Sequence, residues 1–414
     1  MKITIWGINY APEVTGIAPY NVKLAEFLQS QGHDVRMLTT FAYYPAWRKA
    51  PEDRGVLYRT DRLEGVPVHR CWHFVPQKVT ALKRIVHEAT FVLSSWLRLF
   101  FLPRPEVLVV VSPPLLLGAA ARLFGVIRNV PFVFHVQDLQ PDAAVGLGML
   151  KAGAFTRALY RLEALAYAGA ARVCGISRGM LAAFRRKQVP EERITYFPNP
   201  VTLPKAEDLP PSGSFRARQG WTGDEFLAVY SGNLGVKQGL QILLEAAALC
   251  GNPRVRMVIC GDGADRERLT RLAADRRLTN VTFLPLQSAA DYAAMLADAD
   301  VCLITQQAGS GQSFFPSKLL TTLGFARPVL SVADADSELA LALSEGGFGV
   351  NVLPGDAAAL ARAIEKLAAA PEELRQMGER GREYVRQYEA DPVLRGFEQV
   401  LCEVVEEQRR KLPR

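Results

Sequence analysis

Short apolar runs that alternate with helix-patterned segments are the feature that most limits how this chain can fold. In the first 200 residues, such runs occupy Lys2–Trp6, Asp34–Thr39, Glu106–Val111 and Pro131–Val136. Strands that are buried on both faces appear as continuous apolar runs, and the helices between them connect parallel neighbours. The alternation therefore predicts an α/β fold with a doubly wound parallel sheet.

A proline-rich segment interrupts this series. Phe197–Gly213 contains five prolines, which is typical of a linker. The strand–helix series then starts again, with predicted strands at Phe226–Tyr230, Arg256–Cys260, Val281–Leu284 and Val301–Thr305. A chain of 414 residues has room for two hydrophobic cores. We predict a Rossmann-like domain over residues 1–200, a second over residues 201–385, and a C-terminal helix over residues 386–414 that packs back on the first domain.

The composition excludes several classes of protein. With 49% hydrophobic and 22% charged residues, the chain is typical of globular proteins. Its six cysteines lie far apart and form no Cys-x-x-Cys pair, which argues against a disulfide framework or a zinc site and favours a reducing compartment. The sequence runs directly into the predicted strand Lys2–Trp6, with no apolar signal segment before it, so we expect a cytoplasmic protein.

Positive charge is concentrated in the first half. Residues 1–200 contain 25 Lys and Arg against 14 Asp and Glu, whereas residues 201–414 contain 24 against 28. This imbalance predicts an anionic partner, and an anionic membrane is favoured because no nucleic-acid-binding module is recognisable. Within Val79–Arg104, the basic Lys83, Arg84 and Arg98 accompany Trp96. Interfacial membrane contact and a buried helix with basic ends are both compatible with this segment, whose apolar part is too short to span a bilayer.

In each domain, one glycine-containing loop follows the first predicted strand. In Gly7–Tyr20, Gly16 lets the backbone approach a ligand closely. In Ser231–Gly239, Gly232 loosens the turn and Lys237 stands just before the next helix. A lysine at such a strand–helix turn suits a diphosphate. Neither loop matches the dinucleotide fingerprint GxGxxG or the P-loop.

The segment Phe314–Ser331, FFPSKLLTTLGFARPVLS, has the pattern loop, helix, turn, strand. Pro316 suits the first helical position, which places Ser317 and Lys318 in the first turn. A lysine there opposes the helix dipole unless an anion docks on the free N–H groups of the helix start. Both an anion site and a solvated lysine fit the pattern.

Polar residues also follow other predicted strands. The segment HVQDLQPD places His135, Asp138 and Asp142 at the end of a buried run, where α/β proteins bind ligands; the two aspartates could instead cap a helix. Cys260–Gly263, CGDG, is interpreted as a tight turn. The triplet Asp298–Asp300 is interpreted as the loop at a helix end rather than as a metal-binding DxD pair.

Taken together, these segments resemble the family 4 glycosyltransferases, whose GT-B architecture consists of two Rossmann-like doubly wound domains facing a cleft. APEVTGIAPYNVKLAEFLQSQGHDVRMLTT resembles the acceptor-side opening of that family, and SGNLGVKQGLQILLEA resembles its donor-site motif. VICGDGADRERL, VTFLPL and ADADVCLI follow in the family's order. HVQDLQPD with FPSKLLTTLGFARPV is most similar to the transferases of colanic-acid and O-antigen synthesis.

This resemblance implies a donor site mainly on the second domain and an acceptor site on the first. Lys237 would bind the donor diphosphate, and Gly16 would approach it from the first domain. His135 matches a histidine that contacts the donor sugar, so His135 and Lys237 are the implied catalytic residues. Asp138 and Asp142 are assigned to the acceptor side.

The other implied donor-binding residues are Gly232, Asn233, Gly261, Ser313, Pro316, Ser317, Lys318 and Thr321. Asn233 replaces a family arginine, and Ser313 and Thr321 fall near the positions of a glutamate pair of which the second member binds the nucleotide ribose. We expect Ser317 and Lys318 to supply the contacts that these replacements remove.

The resemblance implies transfer of a sugar from a nucleotide-sugar to a saccharide on a polyprenyl-diphosphate lipid during surface polysaccharide synthesis. Most of the family retains the anomeric configuration and uses neither a metal nor a further cofactor. The colanic-acid resemblance suggests GDP-fucose as donor, and the lipid acceptor implies peripheral contact with the inner face of the plasma membrane. Two alternatives stay open. One is a nucleotide-sugar epimerase, which needs acid and base groups that the five histidines supply poorly. The other is a scaffold that has lost catalysis with its glutamate pair.

Overall fold

The computed structural model describes residues 1–146, 153–309 and 317–411. Within it the chain forms two compact units, each with its own parallel sheet. The first comprises Met1–Pro200 together with Asp391–Arg414, and the second comprises Val201–Ala390. The chain thus leaves the first unit after residue 200 and returns to it after residue 390.

The first unit is built on an eight-stranded sheet with the order β3-β4-β2-β1-β5-β6-β7-β8. Its strands are β1 (Lys2–Trp6), β2 (Asp34–Thr40), β3 (Tyr58–Leu63), β4 (Val66–Cys71), β5 (Val107–Ser112), β6 (Phe132–Val136), β7 (Arg172–Gly175) and β8 (Ile194–Tyr196). Neighbours are parallel except for β3, which is antiparallel to β4. This hairpin was not predicted, although Glu64 and Gly65 both have the positive φ angles (46° and 82°) that a two-residue hairpin turn requires.

The helices of the first unit connect these strands and cover the sheet. They are α1 (Ala18–Ser30), α2 (Ala81–Leu99), α3 (Leu116–Arg128), α4 (Gln140–Gly146), α5 (Ala154–Gly169) and α6 (Arg178–Arg186). Side-chain caps begin two of them: the Thr80 hydroxyl accepts from the N–H of Lys83 at the start of α2, and the Ser177 hydroxyl accepts from the N–H of Met180 at the start of α6.

The second unit has a six-stranded, entirely parallel sheet with the order β11-β10-β9-β12-β13-β14. Its strands are β9 (Phe226–Ser231), β10 (Val255–Cys260), β11 (Val281–Leu284), β12 (Val301–Thr305), β13 (Val329–Val332) and β14 (Gly349–Val352). The helices that follow Pro200 are α7 (Ser214–Gln219), α8 (Gln241–Leu249), α9 (Arg266–Asp275), α10 (Ala289–Asp298), α11 (Ser317–Gly324), α12 (Glu338–Gly346), α13 (Ala357–Ala368), α14 (Pro371–Tyr384) and α15 (Ala390–Lys411).

The region predicted as a C-terminal helix, residues 386–414, contains α15, which begins at Ala390. A 3₁₀ turn over Val385–Tyr388 and an extended Glu389 separate α14 from α15. The break allows the N–H of Val201 to donate to the carbonyl of Tyr388 over 2.8 Å. Beyond it, α15 packs on the first unit: Phe397 stacks on Phe197, with ring centroids 3.9 Å apart.

Both sheets place a topological switch point beside their first strand. In the first unit the chain winds outward from β1 to β2 on one side and continues with β5 on the other. In the second unit, β9 and β12 flank the corresponding point. Loops at the carboxyl ends of these strands border a crevice where doubly wound sheets bind ligands. The predicted glycine loops after β1 and β9 both lie at such points.

The sequence argued against a disulfide framework and against a membrane-spanning segment. All six cysteines are unpaired. Among the described residues, no helix combines the length and the apolar character that crossing a bilayer requires.

Candidate functional site

The side chain of Lys318 is the main charged group at the switch point of the second unit. It belongs to the first turn of α11, and its Nζ lies 3.7 Å from the centroid of the Tyr230 ring at the end of β9. A Cβ built on Gly232 would lie only 3.5 Å from the same Nζ, so the amine faces the backbone of the loop that follows β9. In the described part of the chain, no carboxylate forms an ion pair with Lys318.

Burial lowers the pKa of Lys318 to about 7, and the neighbouring Cys302 thiol opposes this only in part. The Tyr230 ring gives the ammonium form a cation–π contact but no counter-charge. A desolvated, unpaired amine is costly to protonate, and an anion placed beside it would remove that cost. The geometry therefore suits a ligand with a phosphate or carboxylate group.

The loops after β9 and β10 are locked together beside this amine. The N–H of Gly232 donates to the carbonyl of Cys260 over 3.0 Å, and the N–H of Leu234 donates to that of Asp262 over 2.8 Å. Gly261 has a φ of 138°, and a Cβ on it would lie 1.9 Å from the Gly232 carbonyl oxygen. Only glycine allows this contact, so CGDG is more specialised than the simple tight turn that was predicted.

Two further implied donor-binding residues lie in the same loop. Asn233 and Lys237 are both exposed, and Lys237 belongs to a 3₁₀ turn, Val236–Gln238. The Lys237 carbonyl accepts from the N–H of Gln307 over 2.9 Å, which ties the loop after β9 to the segment after β12. This contact holds the backbone of Lys237 and leaves its side chain in solvent.

The remaining residues of the predicted donor site belong to the start of α11. Thr321 is half-buried in the second turn. Ser317 is the first helical residue, and its side chain is not described. Ser313 and Pro316 lie outside the described residues. Of this segment, the described structure therefore places only Lys318 at the carboxyl end of β9.

At the switch point of the first unit, Gly16 is exposed with a φ of 65°. A buried glutamate that sequence reasoning missed, Glu13, organises this region. Its carboxylate accepts from the N–H groups of Tyr43 and Tyr44, each over 2.9 Å, and from the Asn9 amide over 2.7 Å. Burial raises the pKa of Glu13, and these hydrogen bonds counteract the rise. Glu13 thus joins the loops after β1 and β2, and nothing in its local sequence distinguishes it from a surface glutamate.

His135 is the penultimate residue of β6 and is buried. Its Nε2 is 2.7 Å from the Gln137 amide nitrogen, which also donates to Asn199 over 2.8 Å. Its ring packs against Phe197, with centroids 4.7 Å apart, and its Nδ1 has no partner among the described residues. Burial lowers the pKa of His135 to about 3, so the ring is neutral at physiological pH. The ring can donate a hydrogen bond to a ligand or accept one from it, but it supplies no positive charge.

The two aspartates assigned to the acceptor side have different surroundings. Asp142 lies in the first turn of α4 and forms an ion pair with Lys187, whose amine also contacts Glu163 over 2.5 Å. Asp138 is half-buried just before α4, where its carbonyl accepts from the N–H of Gln140. The ion pair favours a structural role for Asp142.

The two aspartates of the triplet Asp298–Asp300 both bind protein groups. Asp298 accepts from the N–H groups of Gly213, Phe215 and Arg216 over 2.6 to 3.0 Å, and so caps the start of α7. Asp300 forms an ion pair with Arg216. Among the described residues, no group of three or more His, Cys, Asp or Glu side chains could hold a metal ion.

Sequence reasoning also missed residues of the second unit that shape the site. Tyr230, whose ring underlies the Lys318 amine, was interpreted only as a strand residue. Arg266, the first residue of α9, donates from Nη1 to the carbonyl of Gly261 and, over 2.9 Å, to that of Leu284. The sequence feature that indicated the site was a lysine in the first turn of a predicted helix. The contacts of Tyr230 and Arg266 could not be predicted in this way, because their partners are distant in sequence.

Comparison with known proteins places these features in context. Residues 15–200 match the glycosyl transferase 4-like domain, and residues 212–384 match the domain called glycosyl transferases group 1. WcaI of Escherichia coli, named as a colanic acid biosynthesis glycosyl transferase, is 32% identical over 90% of this chain and 93% of its own length. A GDP-mannose-dependent alpha-mannosyltransferase of Mycobacterium tuberculosis is 29% identical over 65% of each chain. The structure of HepE from Anabaena in complex with UDP superposes with a TM-score of 0.71 at 16% identity, covering 97% of this chain and 100% of HepE.

Proposed function

The chain belongs to the GT-B glycosyltransferases with a 4-like and a group 1 domain, and from this premise we propose that it transfers a sugar from a nucleoside-diphosphate sugar to a lipid-linked saccharide. The proposed product is part of a surface polysaccharide, as the name of the E. coli relative suggests. The enzyme class follows from the family, whereas the donor, the acceptor and the stereochemistry are the proposal.

One observation carries the donor assignment: the Lys318 amine, which has no ion-pair partner among the described residues, lies over the Tyr230 ring and beside Gly232 at the switch point of the second sheet. Cleavage of the sugar–phosphate bond leaves additional negative charge on the departing diphosphate. A cation already in position stabilises that charge without reorganisation. Lys318 therefore binds the donor diphosphate in the proposed reaction, and the exposed Lys237 of the neighbouring loop is a second candidate contact.

In the proposed reaction, no metal, further cofactor or covalent nucleophile takes part. Lysine side chains and the N–H groups at the start of α11 neutralise the leaving diphosphate. The reaction is proposed to retain the anomeric configuration. The neutral His135 is proposed to hydrogen-bond the donor sugar through Nδ1, which has no partner among the described residues.

The acceptor is proposed to be a saccharide on a polyprenyl-diphosphate lipid, bound by the first unit. The excess of Lys and Arg over Asp and Glu in residues 1–200 supports an anionic acceptor. Such a lipid places the enzyme at the cytoplasmic face of a membrane, in peripheral contact with it.

A thermal-shift comparison of GDP, UDP and ADP tests the donor site. A ligand that binds only the native state raises the melting temperature. Since one relative uses GDP-mannose and the resemblance suggests GDP-fucose, we expect GDP to give the largest shift. Equal shifts with the three nucleotides, or no shift with any, would contradict the assignment.

Turnover then separates transfer from the alternatives. Incubation with GDP-fucose, GDP-mannose and a membrane extract should release GDP and label the lipid fraction. Release of an isomerised nucleotide-sugar would instead indicate an epimerase. Binding of nucleotide without either product would indicate a scaffold that has lost catalysis.

The affinity for the nucleoside diphosphate should depend on pH through Lys318. In the free protein the amine has a pKa of about 7, and a bound diphosphate raises the pKa by favouring the charged form. Binding above pH 7 then takes up a proton, so Kd should increase as pH rises from 7 to 9, by up to about tenfold per pH unit. Calorimetric titrations at several pH values measure this slope, and Lys318→Met should abolish it. An equal slope in that variant would assign the titration to another group.

A further inference from the structure

The start of α2, Ala81–Val86, and the residues just before it are not buried by any part of the chain that the structure describes. Every residue from Gln77 to Val86 is exposed, although this stretch contains several large aliphatic side chains. These are Val79, Leu82, Ile85 and Val86, and Leu82 keeps 71% of its surface exposed. Exposed aliphatic residues that cluster in this way, rather than lying singly, mark an interaction surface.

The exposed aliphatic surface continues along the same side of α2. With 3.6 residues per turn, Leu93 and Leu97 lie on the side of the helix that carries Leu82 and Val86. Leu93 is 62% exposed, and Phe101, just beyond the helix end, is 81% exposed. We call Leu82, Ile85, Val86, Leu93 and Leu97 the α2 stripe; it covers a sector of roughly 120° of the helix surface.

The opposite side of α2 is firmly anchored, so the stripe is not the result of a loosely held helix. Phe91 and Leu99 are buried in the core of the first unit. The Trp6 indole donates to the Ser95 hydroxyl over 2.9 Å, which joins α2 to β1. The helix therefore presents its stripe outward at a defined orientation, with the buried face already occupied.

Basic residues accompany the stripe and acidic ones do not. Residues 77–104 contain five basic residues, Lys78, Lys83, Arg84, Arg98 and Arg104. The one acidic residue in that range, Glu88, forms an ion pair with Arg84 over 3.2 Å. Lys78 and Lys83 are exposed beside the start of the stripe, whereas Arg98 packs over the Tyr58 ring on another side of the helix. An aliphatic stripe with exposed lysines beside it suits a helix that lies in the plane of an anionic lipid surface.

The position of α2 in the fold supports the same occupant. The helix follows β4, so it begins at the carboxyl edge of the first sheet, which is also where the Gly16 loop lies. We infer that the α2 stripe docks on an anionic bilayer, with its aliphatic side chains in the acyl boundary and the exposed Lys78 and Lys83 at the lipid phosphates. The choice of a bilayer over a protein partner rests on the proposed lipid-linked acceptor, which a docked enzyme would reach from this edge.

Vesicle flotation tests the docking without any enzymatic reaction. The full chain is mixed with vesicles of phosphatidylglycerol and phosphatidylethanolamine, and in parallel with phosphatidylcholine vesicles. We expect the native protein to float with the anionic vesicles only. Replacing both Leu82 and Leu93 with glutamate should lower the bound fraction at least tenfold, and Lys83→Glu should lower it about fivefold. Leu341→Glu, at a leucine of α12 that is 56% exposed, is the matched control and should float like the native protein.

Three results would overturn the inference: no flotation of the native protein, equal flotation of the doubly substituted and control proteins, or a native dimer in sedimentation that the double substitution converts to monomer. The last would show that the stripe binds a second copy. Melting temperatures confirm that each variant is folded. Transfer to a detergent-dispersed acceptor should be retained in the doubly substituted protein, so failure of transfer in every variant would count against the proposed function and not against the docking.

Discussion

Lys318→Met is expected to lower kcat/KM for sugar transfer by about 100-fold, which is the usual loss when one preorganised charge-stabilising group is removed. The amine is the one described cation placed against both the Tyr230 ring and the Gly232 backbone, and charge builds on the diphosphate as the sugar leaves. Methionine has a similar length and keeps the apolar contact with the ring. Steady-state kinetics with the preferred nucleotide-sugar measure the loss, and calorimetry measures the accompanying decrease in nucleotide affinity.

The effect should be specific to charge at this position. Lys205→Met, at an exposed lysine of the same unit, should leave kcat/KM unchanged within about twofold. Lys318→Met should not destabilise the fold, because the amine it removes is desolvated and has no counter-charge among the described residues. An unchanged nucleotide affinity in a folded Lys318→Met protein would show that the diphosphate binds elsewhere.

Gly261→Ala is expected to destabilise the second unit by about 3 to 5 kcal/mol and to abolish nucleotide binding. The added Cβ would lie 1.9 Å from the Gly232 carbonyl oxygen, and the φ of 138° is unfavourable for any other residue. Both loops would have to separate, which would also displace the backbone beside Lys318. Urea unfolding followed by circular dichroism measures the stability, and a thermal-shift titration measures the binding.

A second glycine serves as the control for this substitution. Gly220 has a φ of 70°, but a Cβ on it would have no neighbour within 4 Å. Gly220→Ala should therefore report the conformational cost alone, about 1 to 2 kcal/mol. If Gly261→Ala costs no more than Gly220→Ala, the close contact between the two loops does not exist in solution.

Local patterns predicted much of the fold. The strands Lys2–Trp6, Val281–Leu284 and Val301–Thr305 have the bounds that their apolar runs predicted. These elements are readable because the strands of a parallel sheet covered on both faces form short, mostly apolar runs. The β3–β4 hairpin was missed because its strands carry charged residues and its turn is Glu-Gly rather than the more familiar Asn-Gly.

The roles of charged residues were harder to predict. Asp142 was assigned to the acceptor side, yet its carboxylate pairs with Lys187, which lies 45 residues further along the chain. Asp298 binds N–H groups more than 80 residues away. Glu13 lies in a segment with the sequence of a loop, yet its carboxylate is buried and hydrogen-bonded. In each case the partner is brought close only by the fold.

The sequence alone determined the doubly wound fold and the two loops that follow β1 and β9, because buried strands and glycine-containing turns are recognisable from short stretches of sequence. It also pointed to Lys318 as a lysine in an unfavourable place at a helix start. Only the tertiary structure decided that this amine lies over Tyr230 with no counter-charge among the described residues, that Asp142 has one, and that the described part of the chain leaves one side of α2 uncovered. Those distinctions depend on which side chains, distant in sequence, pack against one another in the fold. That packing sets both the charge state and the exposure of each side chain.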